Sequence, residues 1–554
     1  MIARDYRFRV IAVFAFFCTL FVIIAVRLFL VQVKQKHFFK HLGQQQYGVQ
    51  IKIQPSRGDI FDASGKDPLA FNRRALSAFL VPSTLPKEGK TLKMLKRYYP
   101  EVFKRYIKNP TKHFLWLARR MNDAEIAFLE KQADPSIHYL DEFTRYYPYQ
   151  GAAQVVGLTD SDNHGIAGIE LSFTQHLTGQ PQEMRLERDA RSGAMYFARV
   201  VKDIGRPGNN LALTIDKHAQ EIVFYELQKK ITALKAVSGT AVVLNPDTGA
   251  ILAMANYPVF DPNKKGNIAF DAMKNRAVSE CYEFGSVLKA FCALAALEEK
   301  VVALDEPIDC EGRFAVVDGV KVENPTISLL RRLEEHHNIL PFNEVVRYSS
   351  NVGIAKVAKR LGTKYYDHLL RLGFGQKTGI QFPGERSGFV SPPHLWSRPS
   401  LIVMSFGYEI MGTIMQLARA ACIIANGGCD IKPTLLQKDT DRKGRRLYGT
   451  ESINGIKTIM QQVAERYPIR GMRVMGKTGT ARCIVDGKYS TKIHQYSFIG
   501  IIEKGDYRRV IVTFVKQPEK SSLWASDVAV PIFHTIAQRL VVHDALHGAA
   551  NLID

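Results

Sequence analysis

One run of residues limits this chain more than any other. From Val10 to Val26 the sequence reads VIAVFAFFCTLFVIIAV, with Thr19 its single polar residue, and after Arg27 the apolar character resumes over Leu28–Val31. A helix across those 22 positions is about 33 Å long, against about 30 Å of hydrocarbon in a bilayer. The run therefore predicts a membrane-spanning signal anchor over residues 10–33. Arg27 lies near one end, where its stem can carry the charge to the interface. Arg4, Arg7 and Arg9 precede the run with only Asp5 against them, which predicts a cytoplasmic tail at residues 1–9. No small-x-small cleavage site follows Val26, so the segment reads as retained rather than removed. Everything beyond about residue 35 is then expected outside the cytoplasm, on a single-pass protein of the inner (cytoplasmic) membrane.

The rest of the chain has the composition of a folded protein. With 554 residues, 46% hydrophobic and 23% charged, it has room for three or four units of roughly 100–200 residues. Wholesale disorder and collagen-like repeats are excluded. A mean hydropathy of −0.11 leaves room for one span, not many. The 75 Lys and Arg against 53 Asp and Glu give a net charge of +22. That excess suits an anionic partner (nucleic acid, phospholipid or an acidic wall polymer) without choosing among them. Seven cysteines include no Cys-x-x-Cys pair, so neither a zinc ribbon nor a dithiol centre is indicated, and no metal site is expected. Disulfides among the six cysteines after Cys18 are neither required nor assignable.

Residues 34–205 are polar, basic and irregular in period, with a helical-looking stretch from Lys93 to Arg120. The turn Gly205-Arg206-Pro207-Gly208-Asn209-Asn210 is the strongest linker candidate, which places a first unit at 34–205 and a second at 206–554. The texture then changes. Lys217–Leu234 reads as an amphipathic helix, Gly239–Leu244 and Ala250–Ala255 as a hairpin around Asn245–Gly249, and Val352–Leu361 as a helix. Lys477–Val485, the turn Asp486-Gly487 and Tyr496–Ile502 form a second hairpin, followed by a strand at Arg509–Val515 and a helix at about Asp527–Leu546. Strands at both ends with helices between them predict an α+β domain whose antiparallel sheet is built from both ends of the segment and flanked by helices.

Four short motifs carry the chemistry. Gly285-Ser286-Val287-Leu288-Lys289 puts a serine and a lysine three apart at a helix start, on one face, so that an amine can take the hydroxyl proton. Ser-Asp-Asn occurs at Ser161-Asp162-Asn163, but in a Gly- and Asp-rich loop upstream of Ser286. Ser349-Ser350-Asn351, heading a helix, can present a hydroxyl and an amide to a cleft. Lys-Thr-Gly occurs twice. Lys377-Thr378-Gly379 stands among loop residues, whereas Lys477-Thr478-Gly479-Thr480 leads a strand that could pair with an extended peptide while the lysine meets a carboxylate. The second copy overlaps Gly471-Met-Arg-Val-Met-Gly476-Lys477-Thr478, a literal phosphate-loop pattern. A P-loop NTPase is thus the alternative from another class. It requires a strand before the loop and a helix directly after, where this sequence predicts strand and hairpin.

Ser-x-x-Lys, Ser-x-Asn and Lys-Thr-Gly in this order resemble the signature of penicillin-binding proteins and serine β-lactamases. Arg276–Lys289, Ser349–Gly353, Gly373-Phe374-Gly375 and Ser405–Tyr408 are similar to class B penicillin-binding proteins, as are Arg57-Gly58-Asp59-Ile60-Phe61-Asp62 and Gly165–Glu170. Phe284 stands where the family has proline, and Ala63 where arginine is usual. The resemblance implies a non-catalytic, dimerisation-like pedestal, elongated, at 34–205 and a penicillin-binding/β-lactamase-like transpeptidase domain at 206–554. It implies a peptidoglycan D,D-transpeptidase without cofactors, acting on stem peptides and acylated by β-lactam antibiotics. In that reading Ser286 is the nucleophile, Lys289 the general base, Ser349 the proton relay and Asn351 a holder of substrate amide. Lys477, Thr478, Gly479 and Thr480 form the substrate strand, with the N–H groups of Ser286 and Thr480 as the oxyanion hole. The short pedestal and single anchor resemble the division-type subfamily, with the elongation type as alternative. The absence of a glycosyltransferase-like segment implies a membrane-embedded glycan polymerase and other division or elongation proteins as partners, and the bilayer itself, but no nucleic acid.

Overall fold

The computed structural model describes residues 2–547 apart from 54, 87, 113, 189–194, 204, 265, 267, 325, 441–443 and 521–522. The apolar N-terminal run is helical from Ile2 to Phe29 (α1), and the apolar segment extends through a π-turn to Lys34. The stretch Tyr6–Lys34 is long and apolar enough to cross a membrane, and the hydropathic core of that stretch buries none of itself inside the protein.

The chain forms two compact units. The smaller comprises Met1–Ser56, Arg74–Thr144 and Gly179–Pro207. Here the stretch expected to be helical from Lys93 to Arg120 is broken into helices Lys90–Tyr98 and Pro100–Lys108 and a strand, Leu115–Ala118. Pro100 has no N–H to continue the first helix but suits the first turn of the second. The Leu115–Ala118 strand pairs antiparallel with Ala78–Leu80, closing a small core of Ala78, Leu80, Leu95, Leu117 and Leu129.

The larger unit comprises Arg57–Arg73, Arg145–Thr178 and Gly208–Asp554. Its five-stranded sheet uses β1 (Ser238–Leu244), β2 (Ile251–Tyr257), β3 (Arg473–Val485), β4 (Lys488–Lys504) and β5 (Tyr507–Lys516), in the order β2-β1-β5-β4-β3. Every neighbouring pair is antiparallel. Both ends of the segment thus build the sheet, as the sequence predicts, and β3 is an edge. Side chains alternate between two cores. Val242, Leu244, Val510, Val512, Ile499 and Ile501 enter one cluster, and Ala241, Val243, Ile511, Val515, Phe498 and Ile502 the other. On the second face lie α2 (Lys217–Leu234) and the long C-terminal helix Ala525–Leu546. The first face carries α3 (Leu288–Glu298), α4 (Asn351–Leu361), α5 (Ile414–Ala425) and α6 (Thr450–Ala464). Helix α3 is buried all round from Leu288 to Ala296, which explains why its sequence is apolar on every face.

Within this unit Glu170 joins two distant segments. Its carboxylate accepts from Arg57 Nε at 2.5 Å and from Arg145 Nε at 2.6 Å, and all three side chains are buried. Arg57 also donates to the Glu170 carbonyl at 2.7 Å and to Thr178 Oγ1 at 2.8 Å, and Arg145 to the Gly58 carbonyl at 2.8 Å. Two guanidiniums around one carboxylate satisfy most of the donors that burial would otherwise leave costly, while Arg145 Nη1 makes no hydrogen bond and faces Asp59 at 3.6 Å.

Candidate active site

Ser286 lies in a 3-10 turn, Gly285–Val287, that feeds directly into α3. Gly285 has φ +58°, and a Cβ there would sit 2.4 Å from the Thr480 carbonyl oxygen. Only glycine lets the turn lie this close to the edge strand β3. Gly479 makes the matching approach from the strand, since a Cβ on it would fall 2.4 Å from the Phe284 carbonyl oxygen. Phe284, standing in place of proline, is buried and helical in backbone (φ −95°, ψ −6°), so the turn is entered without a proline ring.

Lys289, the second residue of α3 and three positions after Ser286, is fully buried and donates from Nζ to the Ser349 carbonyl at 2.5 Å and to Ser349 Oγ at 3.0 Å. Lys477, in the middle of β3, is buried too and donates to the same Ser349 Oγ at 3.2 Å and to the Thr478 carbonyl at 3.2 Å. Ser349 has φ +64°, the left-handed region that a serine rarely occupies, just before α4 begins. Burial disfavours both ammonium forms. It presses the Lys289 pKa well below the ordinary lysine value, with the Lys477 charge adding to the effect, and it lowers Lys477 to about 7. The site therefore holds an amine able to take a proton beside a cation.

The helix start carrying Asn351 is fixed by Asn324, a residue the motif reading passes over. Asn324 is fully buried, and its Oδ1 accepts from Ser350 Oγ (3.0 Å), Asn351 N (2.9 Å) and Val352 N (3.2 Å). Its Nδ2 donates to the carbonyls of Gly312 (2.6 Å) and Cys310 (3.2 Å). A side chain from another segment thus caps α4. Asn351 Nδ2 meets the Glu323 carbonyl at 2.7 Å. A lone asparagine 27 positions before the motif residue it holds leaves no sequence signal.

Thr478 and Thr480 are half-buried on β3, where Lys477, Thr478, Gly479 and Thr480 pair with Ile499, Phe498, Ser497 and Tyr496 of β4. The opposite edge of β3 has no neighbouring strand in this sheet. Gly476, Lys477 and Thr478 lie mid-strand, and β3 turns into β4 rather than a helix. That geometry overturns the phosphate-loop alternative, which needs a turn of free amides capped by a helix. The decoy copies stay apart from the site's motifs. Ser161-Asp162-Asn163 lies in a turn whose amides bond to Asp160, and Lys377-Thr378-Gly379 lies in a loop where Thr378 N meets Glu385 Oε1 at 2.6 Å.

A serine in the turn that opens a helix, a buried lysine three positions on, a second buried lysine on an edge strand and a serine hydroxyl shared by both lysines define a serine acyl-transfer site of the penicillin-recognising kind. Residues 239–538 match the penicillin binding protein transpeptidase domain family and residues 52–213 the penicillin-binding protein dimerisation domain family, and the chain belongs to the penicillin-binding proteins. It is 31% identical over 507 residues to the peptidoglycan D,D-transpeptidase FtsI of Escherichia coli, covering 88% of this chain and 83% of that protein. It is 29% identical over 545 residues to the probable peptidoglycan D,D-transpeptidase PbpC of Pseudomonas aeruginosa, covering 96% and 94%. Among solved structures it is similar to penicillin binding protein 3 from Mycobacterium tuberculosis in its apo-form, with TM-score 0.65 at 25% identity over 90% of this chain and 98% of that one. A peptidoglycan synthetase from Bifidobacterium adolescentis shares the fold, with TM-score 0.69 at 20% identity over 90% and 97%.

Proposed function

We propose that this chain is a peptidoglycan D,D-transpeptidase that crosslinks stem peptides through an acyl-enzyme on Ser286. The observation that carries the reading is the Ser349 hydroxyl held between Lys289 and Lys477. Neutral Lys289 takes the proton as Ser286 Oγ attacks the carbonyl of a donor D-Ala-D-Ala. The N–H groups of Ser286 and Thr480 hold the oxyanion, a donor of the kind whose loss costs about 10²–10³ in rate. Lys477, with the hydroxyls of Thr478 and Thr480, receives the terminal carboxylate, and Asn351 holds the donor amide once its Glu323 contact is exchanged. The proton returns through Ser349 to the departing D-Ala amine. An amine of a neighbouring stem then attacks the ester, forms the crosslink and frees Ser286. β-Lactams enter the same first step and stop there.

The domain assignment is a cytoplasmic tail at 1–9, an anchor at 10–33, a pedestal at 34–205 and the transpeptidase domain at 206–554, with the catalytic part outside the cytoplasmic membrane. The arginines ahead of the apolar run, Arg4, Arg7 and Arg9, support that orientation. The short pedestal and single anchor support a role in septal wall synthesis beside a membrane-embedded glycan polymerase. Fluorescent penicillin labelling tests the reading. Wild type is expected to be labelled covalently, Ser286→Ala not at all, and Ser161→Ala normally; labelling of Ser286→Ala would refute it. Depletion giving filaments supports division, and round cells the elongation type.

A further inference from the structure

The apolar span ends in a π-turn, Leu30–Lys34, and the helix breaks at Gln35, whose backbone leaves helical geometry (φ −101°, ψ 10°). Gln35 N donates to the Leu30 carbonyl at 2.8 Å, and the Gln35 carbonyl accepts from Phe39 N at 3.0 Å at the start of a second helix, Lys36–Tyr47. A π-turn followed by one non-helical residue lets a helix change direction. The height of this break matters. Tyr6–Lys34 comprises 29 residues, and a helix of that length rises about 43 Å, against about 40–45 Å for a bilayer with its headgroups. The second helix therefore begins among the headgroups on the side away from the N-terminus.

That helix has two unlike faces. On a helical wheel Phe38, Phe39 and Leu42 share an arc of about 100°, while His37 and Lys40 lie opposite and Lys36 and His41 on the two flanks. An amphipathic helix in a globular unit turns such an arc to a core. Here Phe38 and Phe39 are 60% and 45% exposed and Leu42 is 40% exposed, and the two rings meet edge to face at 5.3 Å. The charge is as one-sided. No Asp or Glu occurs between Asp5 and Asp59, so Lys34, Lys36 and Lys40 have no acidic neighbour along the chain. A phospholipid surface complements both features, with acyl chains below the helix and phosphates beside it. That surface is also the one from which the chain has just emerged.

We propose that Lys36–Tyr47 lies in the plane of the bilayer surface, with Phe38, Phe39 and Leu42 among the acyl chains and Lys36, Lys40 and His41 among the lipid phosphates. The proposal rests on the membrane span and is independent of the transpeptidase reading. It gives the span a foot on the membrane surface, so that the chain leaves the bilayer along a fixed line rather than through a free swivel.

The test uses the full chain in phospholipid nanodiscs with no other protein, and a tryptophan placed in turn at Phe39 and at His37. Lipids brominated just below the headgroup quench an indole that enters the acyl boundary. Phe39→Trp is expected to lose at least about twofold more of its added fluorescence than His37→Trp. Wild type supplies the background from Trp116, Trp396 and Trp524. Equal quenching at the two positions, or none at either, overturns the proposal, and a face covered by a second copy of the chain gives that result. In a second arm, trypsin is expected to cut at Lys36 and Lys40 at least about tenfold faster in Phe38→Ser/Phe39→Ser/Leu42→Ser than in wild type, the two chains melting alike. Equal cutting rates overturn the proposal as well. A chain that alkaline carbonate extracts from membranes overturns the span on which it rests and leaves the penicillin-labelling test of the transpeptidase reading unaffected.

Discussion

Lys289 and Lys477 aim their side-chain nitrogens at one oxygen: Ser349 Oγ lies 3.0 Å from the first and 3.2 Å from the second. Two ammonium groups at that separation, both buried, repel each other, so the resting site favours one proton where two lysines in water would carry two.

The pH dependence follows from this sharing. Below about 7 Lys477 is charged, while burial and that charge disfavour the ammonium form of Lys289; above about 7 Lys477 loses its proton and its hold on a carboxylate. A falling limb in kcat/KM for peptide substrate is expected near that pH. The matching limb in kcat should lie at higher pH, because a bound carboxylate favours the ammonium. In stability the sign is opposite. An unfolded lysine titrates near about 10.4, so the folded state binds fewer protons between about 7 and 10 and the Lys477 contribution to stability rises with pH there. Urea unfolding of wild type and Lys477→Met at pH 7 and pH 9 measures it: wild type should gain stability relative to the variant at the higher pH, and a wild type that loses ground there would contradict the shift.

Asn324 is expected to act as a positioning residue. Asn324→Leu strands the Ser350 hydroxyl and the N–H groups of Asn351 and Val352, each a loss of about 1–3 kcal/mol if left unpaired. Acylation by penicillin should slow by about 10–100-fold. Asn324→Asp keeps the acceptor and places an anion at a helix N-terminus, so it should restore most of the rate while melting earlier, having lost the donors to Cys310 and Gly312. A slow Asn324→Asp with a normal melting temperature would speak against the role.

Glu170→Gln removes the only carboxylate touching both Arg57 and Arg145 among the described residues. Breaking a buried pair from one side typically costs about 3–5 kcal/mol, a drop that urea unfolding at neutral pH resolves. Glu101→Gln, which breaks the exposed contact with Lys104, should leave the unfolding midpoint unchanged.

Gly479→Ala would push a methyl toward the Phe284 carbonyl, Ser497 Oγ and Val287 Cγ2, all within 2.6 Å of the new atom. The strand and the Ser286 turn must separate, and a shift of about 1 Å at reacting groups costs about 10²-fold in rate. Stopped-flow acylation should show that loss. Lys377→Ala, in the other Lys-Thr-Gly, should acylate at the wild-type rate.

Much of this was legible from the residues alone. Helix α2 runs from Lys217 to Leu234 as its amphipathic pattern predicts, because Asp216 caps its first turn with bonds to His218 N and Ala219 N. The hairpin β3–β4 is longer than expected. Residues 488–495 are mostly polar and mostly exposed, so no alternation marks them, yet β3 pairs with both ends of the stretch across an irregularity between Arg482 and Ile484. The Leu115–Ala118 strand was hidden in a basic, helical-looking stretch because its partner, Ala78–Leu80, lies far away in sequence. At the site, motif spacing indicated Ser286, Lys289, Ser349 and Lys477 as candidates. It could not indicate Asn324 or Arg145, whose significance depends entirely on what the fold brings to them.

The sheet joins β1 to β5, Val242 opposite Val512, and Lys477 reaches Ser349 from 128 positions away. During synthesis, then, the turn that bears Ser286 exists long before the strand that faces it. A chain halted anywhere before β5 has neither a closed sheet nor a finished pair of cores. Products truncated before β5 should consequently be inert toward penicillin and exposed to proteases, so that reactivity itself certifies a chain made at least through β5.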